Sequence, residues 1–412
     1  MTREFKTVED VYEALDTIPM FSDRGNSAAN FDLERMQKLC AKLGNPQDDV
    51  LSIHVAGTNG KGTTCRMLAS VYQSAGFNTG LFTSPHLTDF RERITVDSEW
   101  ISGDALLRFF QTHGHLIEEL EPTYFELATA IGFWYFREEA VSVAVIETGL
   151  GGRLDATNII RPIASVITSV GMDHTDLLGN TIEEIAREKA GIIKSEIPVV
   201  VGNLGEEAFS EVKKKAADNI STLIKATEPP VEMDPENQPL AARLNGGIVK
   251  AVVQLLNDQL PVSADQMAVG FRKWMGRFPK GTSFRRVHPE YRWYFDGAHN
   301  TDALKLLKKQ LTEIAPLSEW RLVFGIMKDK LSPEVAKELS EVGSVYYHPL
   351  KLQRAATEKE VKELMPETKI LKSRKSLPEW WVQKNKSELV IFGGSFYFYK
   401  TLTQWIDNIV DR

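Results

Sequence analysis

Leu51-Ser-Ile-His-Val-Ala56, followed by Gly57-Thr-Asn-Gly-Lys-Gly-Thr63, is the stretch of sequence that decides the fold of this chain. The first run is mostly apolar and β-branched, which is typical of a buried strand. After the glycine-rich turn, apolar residues recur at helical spacing from Leu68 to Ala75, and Gly76 is a suitable helix end. A strand, a glycine-rich turn and a helix in this order indicate a parallel α/β sheet whose first turn binds a ligand.

The chemistry of the turn points to a phosphate ligand. Glycines allow backbone N–H groups to converge on an anion, and the helix N-terminus adds its partial positive charge. Lys61 would reach the outer phosphates, and the hydroxyl of Thr63 or Thr64 would lie near a metal ion. The candidate nucleotide-binding residues of the turn are Gly57, Thr58, Asn59, Gly60, Lys61, Gly62 and Thr63.

The turn departs from the strict P-loop pattern G-x-x-x-x-G-K-[ST]. Residue 55 is Val, and Gly62 separates Lys61 from Thr63. A plain glycine-rich turn with one exposed lysine is therefore the alternative. The strand before the turn and the amphipathic helix after it favour phosphate binding.

Short β-branched runs alternate with helical patterns in both halves of the chain, which is typical of doubly wound parallel sheets. The predicted strands are Leu51–Ala56, Asn78–Thr83, Val141–Ile146, Ile163–Thr168, Ile197–Val201, Tyr291–Phe295, Arg321–Phe324, Ser344–Tyr347 and Glu388–Phe392. A more polar stretch runs from Asn203 to Pro239, and Arg277–Ser283 has the composition of a domain edge. The sequence predicts two α/β domains that meet near residue 280.

The composition excludes several classes of protein. Of the 412 residues, 49 are Lys or Arg and 56 are Asp or Glu, so the net charge of −7 argues against a nucleic-acid binder. No apolar run approaches the roughly 18 residues of a membrane span. The two cysteines form neither a disulfide framework nor a metal cluster. The first residues show no signal-peptide core, so we expect a cytoplasmic protein.

Five further motifs follow the phosphate loop in order. They are Thr83-Ser-Pro-His-Leu87 with Glu92-Arg-Ile94, Glu147-Thr-Gly-Leu-Gly-Gly-Arg-Leu-Asp-Ala-Thr-Asn158, Asp173-His-Thr-Asp-Leu-Leu-Gly179, Arg187-Glu-Lys-Ala-Gly191 and Asp296-Gly-Ala-His-Asn300. With the loop, they resemble the folate branch of the Mur ligase superfamily, the folylpolyglutamate and dihydrofolate synthases, over nearly the whole chain. The resemblance implies a P-loop-type ATPase domain over residues 1–280 and a smaller, Rossmann-like glutamate ligase domain over residues 285–412, both doubly wound α/β domains.

A magnesium site is implied at the carboxyl edge of the first sheet. Glu147 directly follows a predicted strand, and Mg²⁺ prefers a few oxygen ligands together with water and nucleotide phosphates. Ser84 ends another predicted strand. His174 alone would be a structural or exposed histidine in a polar loop. The resemblance implies that Ser84, Glu147 and His174 bind Mg²⁺, with two ions expected in all.

Lys189 lies on a predicted helix rich in Glu, so a solvated, ion-pairing lysine is the simple interpretation. The resemblance implies instead that Lys189 is carbamylated, which would replace an ammonium by a carboxylate able to help bind the second Mg²⁺. Arg153 and Asp155 follow Glu147 in a glycine-rich loop. Whether they fix the shape of that loop or touch a ligand is left open by the sequence.

The second half of the chain contributes the remaining candidates. Asp296 follows a predicted strand and could simply cap the next helix. The resemblance implies that Asp296 contacts the nucleotide, that His299 lies close to the incoming amino acid or phosphate, and that Asn245 and Arg277 are further nucleotide contacts. Arg277 follows Met275-Gly276, where many relatives have Pro-Gly, and Tyr397 is assigned no role.

The implied activity is ATP-dependent addition of L-glutamate to dihydropteroate, to the tail of a folate, or to both, through an acyl phosphate. Lys61, Lys189 and His299 are the candidate catalytic residues, and a nucleotide held by both domains implies domain closure that excludes water. We favour the bifunctional enzyme, acting as a monomer on small molecules, without nucleic-acid or membrane partners. A cell-wall Mur ligase and a nucleotide-binding module without ligase activity are the alternatives.

Overall fold

The computed structural model describes residues 4–18, 32–226, 238–278, 284–371 and 386–410, with side chains up to residue 405. Contacts within the chain define two compact units. The first comprises Met1–Glu228 with Asn245–Pro279, and the second comprises Pro229–Leu244 with Lys280–Arg412. Each unit contains its own β-sheet.

The sheet of the first unit has β1 at its centre. Its strands are β1 (Ser52–Ala56), β2 (Thr79–Phe82), β3 (Ile94–Val96), β4 (Glu99–Trp100), β5 (Val143–Glu147), β6 (Ala164–Ile167), β7 (Val199–Val201) and β8 (Leu223–Lys225). Among the described residues these eight strands follow the order β4-β3-β2-β5-β1-β6-β7-β8, and all pairings are parallel except β2–β3 and β3–β4. Both faces of β1 and β5 are buried, which explains their largely apolar sequences.

Helices cover both faces of this sheet. They are α1 (Val8–Thr17), α2 (Glu34–Lys42), α3 (Lys61–Ser74), α4 (Gly103–His113), α5 (His115–Leu120), α6 (Tyr124–Glu138), α7 (Thr175–Leu178), α8 (Ile182–Ala190), α9 (Glu206–Asp218), the part of α10 (Leu240–Leu255) from Asn245 onward, and α11 (Ala264–Arg277). The α3 and α11 helices approach closely at Gly270, where a Cβ atom would lie 2.6 Å from Val71 Cα. The Ser70 hydroxyl donates to the Gly270 carbonyl across the same contact, over 2.9 Å.

The second unit repeats the doubly wound pattern on a smaller scale. Its strands are β9 (Arg285–Arg286), β10 (Trp293–Phe295), β11 (Trp320–Phe324), β12 (Ser344–Tyr347), β13 (Lys369–Ile370) and β14 (Leu389–Gly393). In the part of the chain that is described, these six are ordered β13-β12-β11-β14-β10-β9, with β9 antiparallel to β10. The covering helices are α12 (Thr301–Ile314), α13 (Pro333–Ser340), α14 (Glu358–Leu364) and α15 (Tyr397–Val410).

The predicted fold class is confirmed, because two doubly wound α/β sheets are present and every predicted strand has its counterpart. The structure adds elements that the sequence did not predict: the β3–β4 hairpin, whose turn residues Asp97 and Ser98 have positive φ, and the short edge strands β8, β9 and β13. Most of the predicted domain edge, residues 279–283, lies outside the described residues. Across the described parts of the chain, every helix is too short or too polar to cross a membrane.

Candidate nucleotide and metal site

The predicted phosphate loop joins β1 to α3 and is held from the side of β6. Gly60 has φ +84° and is the residue at which α3 begins, so a left-handed backbone turns the chain into the helix. The N–H groups of Thr58 and Asn59 donate to the carbonyl and hydroxyl oxygens of Ser169, each over 2.9 Å. The Thr168 hydroxyl donates to the Asn59 carbonyl over 2.7 Å. The loop therefore has a fixed shape.

Lys61 extends back over this loop from the first turn of α3. Its Nζ donates to the carbonyl oxygens of Gly57, over 2.9 Å, and Thr58, over 3.4 Å. Thr63 and Thr64 follow on α3 and are both buried. The loop is therefore held in place by hydrogen bonds, and Lys61 is partly buried, unlike the exposed lysine of a plain turn.

Asn245 and Arg277 reach α3 at different levels. The Asn245 amide donates to the Gly60 carbonyl over 3.4 Å, so this side chain lies beside the phosphate loop. The Arg277 guanidinium donates to the Ser70 carbonyl, the Ser70 hydroxyl (3.0 Å) and the Ser74 hydroxyl (2.9 Å). Ser70 lies roughly 13 Å along α3 from Lys61 at about 1.5 Å per residue. These contacts bind α11 to the middle of α3, and a nucleotide contact of Arg277 stays a prediction.

Glu147 lies at the end of β5, next to the end of β2. Its Oε2 accepts the Ser84 N–H over 3.1 Å, so the structure brings two of the three predicted metal ligands together. A Cβ atom on Gly62 would lie 3.3 Å from Glu147 Oε2, which shows that the carboxylate faces the start of α3. Burial raises the pKa of Glu147, while the nearby Lys61 and Arg66 cations lower it.

His174, the third predicted ligand, has φ +50° and precedes α7. Its backbone N–H donates to Asp173 Oδ1 over 2.9 Å, and its Nε2 lies 3.9 Å from the same oxygen. Across the described residues, no three His, Cys, Asp or Glu side chains form a metal site by themselves. The predicted set instead consists of one carboxylate, one hydroxyl and one imidazole.

Lys189 projects from α8 and is only 3% exposed, which excludes the solvated interpretation. Burial, with a smaller contribution from the Lys61 cation, lowers the pKa of the Lys189 ammonium to about 7. The carboxylates of Asp173 and Asp155 act in the opposite direction. Near neutral pH a substantial fraction of Lys189 is therefore an uncharged amine.

The loop after Glu147 is shaped by its own acidic and basic side chains. Asp155 Oδ2 accepts the N–H groups of Gly149 and Leu150, each over 2.8 Å. The Arg153 guanidinium pairs with Glu188 over 2.8 Å, and the Arg153 N–H donates to the Glu188 carbonyl. Of the two alternatives left open by the sequence, these contacts match the fixing of the loop.

A second acidic residue, Glu92, organises the Ser84–Leu87 turn and was missed by the sequence analysis as a structural element. Its carboxylate accepts the N–H groups of Leu87 (2.7 Å), Thr88 (2.9 Å) and Asp89 (2.9 Å). The adjacent Arg93 donates to His86 Nδ1 over 2.8 Å and lies over the Tyr124 ring. A glutamate five residues after the Ser-Pro-His-Leu turn is the local signal that could have indicated this.

In the second unit, Asp296 and His299 lie at the carboxyl end of β10. Asp296 accepts the Ala298 N–H over 2.8 Å, and burial raises the pKa of its carboxyl to about 7. The N-cap of α12 is Asn300, so the helix-cap interpretation of Asp296 is wrong. His299 Nδ1 donates to the Gly297 carbonyl over 2.7 Å, which leaves Nε2 as the acceptor of the neutral ring. Tyr397 is 53% exposed.

Known proteins share this architecture over its full length. The Mur ligase middle domain model matches residues 55–228, and the Mur ligase glutamate ligase domain model matches residues 283–396. A Bacillus subtilis dihydrofolate synthase/folylpolyglutamate synthase is 32% identical over 409 residues, covering 89% of this chain and 93% of that protein. The Escherichia coli protein of the same name is also 32% identical, covering 91% of each chain. The structure of E. coli FolC in complex with DHPP and ADP superposes with a TM-score of 0.85, at 28% identity and 99% coverage of both chains. The chain therefore belongs to the folylpolyglutamate synthase/dihydrofolate synthase family of ATP-dependent, ADP-forming glutamate ligases in the Mur ligase superfamily.

Proposed function

We propose that this chain adds L-glutamate both to dihydropteroate and to the glutamate tail of a folate, with ATP as the source of energy. The observation that carries the proposal is the buried Glu147 carboxylate, held by the Ser84 N–H and facing the start of α3, where the phosphate loop ends. A phosphate-binding loop with an acidic metal ligand at the same sheet edge is what phosphoryl transfer from ATP requires. The names of the two bacterial relatives, which pair the two synthase activities, support both acceptors.

The proposed reaction proceeds in two steps, phosphoryl transfer and amide formation. A carboxylate oxygen of the folate or pteroate substrate attacks the γ-phosphorus of ATP, the bond to the bridging oxygen breaks, and an acyl phosphate and ADP form. The amine of L-glutamate then attacks the acyl carbon, loses a proton and expels inorganic phosphate. Lys61 holds the transferring phosphoryl group and neutralises its charge, so catalysis rests on positioning and electrostatics.

Magnesium fits the donor set around Glu147. A buried carboxylate beside the phosphate loop is a hard oxygen ligand, and Ser84, whose N–H donates to that carboxylate, would add its hydroxyl as a second oxygen. We assign Glu147, Ser84 and His174 as the protein ligands; an imidazole is a softer partner and rests on the family pattern alone. When bound, Mg²⁺ withdraws negative charge from the phosphate oxygens. A second ion would be held with the help of Lys189.

Lys189 is proposed to carry a carbamate. Its neutral amine would attack CO₂, form an N–C bond and release one proton, which turns an uncharged amine into a carboxylate. Burial supports this step, because it is the main cause that lowers the pKa of Lys189 to about 7. At neutral pH part of Lys189 is then the reactive, uncharged amine. Protein labelled with ¹³C-bicarbonate should show a carbamate resonance that Lys189→Ala lacks. Active enzyme without that resonance, and without the added mass on the intact chain, would overturn the assignment.

The remaining predicted contacts complete the proposal. Asn245, beside Gly60, is assigned to the nucleotide, as are Arg277 and Asp296 on the strength of the family pattern. His299 is assigned to the incoming glutamate or the phosphate. The partners are these small molecules, and the expected state of the protein is a monomer.

Phosphate release tests the function directly. We expect release that depends on L-glutamate with dihydropteroate and, separately, with tetrahydrofolate, and we expect Lys61→Ala to abolish both while the protein stays folded. Activity with one acceptor alone would remove the second function. Turnover of a muramyl nucleotide with no turnover of folates would identify a cell-wall ligase. ADP formation that no pterin makes dependent on glutamate would favour a nucleotide-binding module.

A further inference from the structure

A buried chain of hydrogen bonds links the loop after Glu147 to the strand that carries the phosphate loop. His54, in the middle of β1, has its Nε2 atom 2.8 Å from the Thr157 hydroxyl. The Thr157 hydroxyl and backbone N–H both donate to Asp155 Oδ1, over 2.5 and 3.0 Å. All three residues are buried. The hydrogen bond between His54 and Thr157 joins residues that are 103 positions apart in the sequence.

The direction of each hydrogen bond follows from the chemistry of the groups. Asp155 meets four donors, which are the hydroxyl and N–H of Thr157 and the N–H groups of Gly149 and Leu150. An ionised carboxylate accepts all four. Since the Thr157 hydroxyl uses its hydrogen for the hydrogen bond to Asp155, the Thr157 oxygen must accept a hydrogen bond from His54. The neutral His54 ring therefore carries its proton on Nε2.

The state of His54 agrees with this direction. Burial lowers the pKa of its ring to about 3, so the ring is neutral and has a single N–H to donate. Its Nδ1 atom is buried and has no hydrogen-bond partner among the described residues. The histidine thus uses its one proton for Thr157. An unpaired buried ring nitrogen lowers the stability of the folded protein, so the hydrogen bond from Nε2 to Thr157 is the polar contact that holds the His54 ring in place.

The series of hydrogen bonds ends at the residues that directly follow β5. Gly149 and Leu150, which Asp155 holds, are two and three residues after Glu147. Thr148, between them and Glu147, donates its N–H to the Val55 carbonyl of β1, over 2.9 Å. His54 therefore fixes the loop beyond Glu147 from the same strand that leads into Gly57. One element carries both the phosphate loop and the support of the acidic residue.

We propose that Thr157 and His54 are positioning residues, which act through Asp155 to orient the Glu147 carboxylate for the metal ion. The inference rests on the proposed function, because it takes Glu147 as the magnesium ligand. Residues that hold a metal ligand in place commonly change metal affinity about 10–100-fold when removed. A chain that served only to satisfy buried polar groups would lower stability and leave metal affinity unchanged.

Three variants separate these two roles. Thr157→Val removes the hydroxyl at nearly constant volume, and Thr157→Ser restores it. Thr129→Val is the matched control, because Thr129 is equally buried but donates to the Phe125 carbonyl within α6 and is not one of the residues hydrogen-bonded from His54 to Asp155. The measurements are Mn²⁺ binding to the full-length protein with ADP, followed by electron paramagnetic resonance, and ADP affinity in EDTA.

We expect Thr157→Val to weaken Mn²⁺ binding about 10–100-fold with unchanged metal-free ADP affinity, and Thr157→Ser and Thr129→Val to bind Mn²⁺ like the wild type. Equal Mn²⁺ affinity of Thr157→Val and wild type, or equal losses in Thr157→Val and Thr129→Val, overturns the inference. If Thr157→Val does not fold, the pair His54→Gln, which retains an N–H donor, and His54→Leu, which does not, gives the same comparison. Failure of the wild type itself to bind Mn²⁺ overturns the metal assignment of the proposed function as well.

Discussion

Gly60→Ala probes whether the backbone of the phosphate loop, rather than its side chains, limits nucleotide binding. Gly60 has φ +84°, a conformation that glycine adopts freely and that costs other residues about 1–2 kcal/mol. A Cβ atom at this position would also overlap the Asn245 amide, which donates to the Gly60 carbonyl. The substitution therefore strains the loop and displaces a neighbour assigned to the nucleotide.

The size of the effect follows from these two terms. Replacing glycine by alanine gains about 0.4–1 kcal/mol by restricting the unfolded chain, so the backbone strain leaves a net loss of about 1 kcal/mol in the free energy of unfolding. Movement of Asn245 adds up to about 1 kcal/mol more, as expected for one weak hydrogen bond. If the loop relieves the strain by leaving its binding conformation, ADP affinity falls about tenfold, since a factor of ten corresponds to about 1.4 kcal/mol.

Gly76→Ala is the matched control. Gly76 has φ +89°, close to that of Gly60, but a Cβ atom there would meet no atom within 4 Å. We expect both variants to lose about 1 kcal/mol or more of stability in urea unfolding, and Gly60→Ala alone to lose ADP affinity in calorimetry. Wild-type ADP affinity in Gly60→Ala, or an equal loss in Gly76→Ala, would refute the argument.

Two further predictions concern Arg277 and Asp296. Arg277→Ala should lower the free energy of unfolding by about 1–3 kcal/mol, because it removes the hydrogen bonds to Ser70 and Ser74 that join α11 to α3; wild-type stability in urea would contradict this. Asp296 has its pKa raised from 3.8 to about 7, so the native state keeps a proton that the unfolded state loses, and the stability contributed by this group falls as the pH rises from about 4 to about 7. Asp296→Asn should remove that part of the pH dependence, and an unchanged difference between the two proteins across this range would show that the group does not titrate there.

Local periodicity and glycine placement were sufficient to predict the fold class, because buried parallel strands have largely apolar sequences. The strands β1 and β5 were predicted in this way, and Gly60 and Gly76 begin and end the region of α3 as expected. The short strands β8, β9 and β13 have two or three residues each, too few for any periodicity. Pairing with a longer neighbour creates them, and that pairing is not written in the local sequence.

The placement of Glu147 at the end of β5 and of Lys61 in the first turn of α3 was predictable, because the strand–turn–helix pattern decides where these residues lie. The roles of Asp155 and Arg153 were not, because Asp155 accepts hydrogen bonds that form only in the folded loop and Arg153 pairs with Glu188 of α8. Arg277 illustrates the opposite case, since a motif assigned its guanidinium to a nucleotide whereas its described contacts are with α3. The Lys189 environment was also hidden, because burial depends on how α8 packs and not on its Glu-rich sequence.

Lys61 influences the pKa values of two titratable groups, Glu147 and Lys189. Burial is the larger influence on both, and it raises the pKa of Glu147 and lowers the pKa of Lys189. The Lys61 cation lowers both values, so it favours the ionised form of the acid and the neutral form of the amine. The proposed metal site needs the carboxylate of Glu147, and the proposed carbamylation needs the free amine of Lys189. Removal of the cation by Lys61→Ala should therefore raise the pKa of Lys189 toward that of an ordinary lysine and reduce the carbamate resonance in ¹³C-bicarbonate. A carbamate signal as strong as in the wild type would show that burial alone is sufficient to keep the amine neutral.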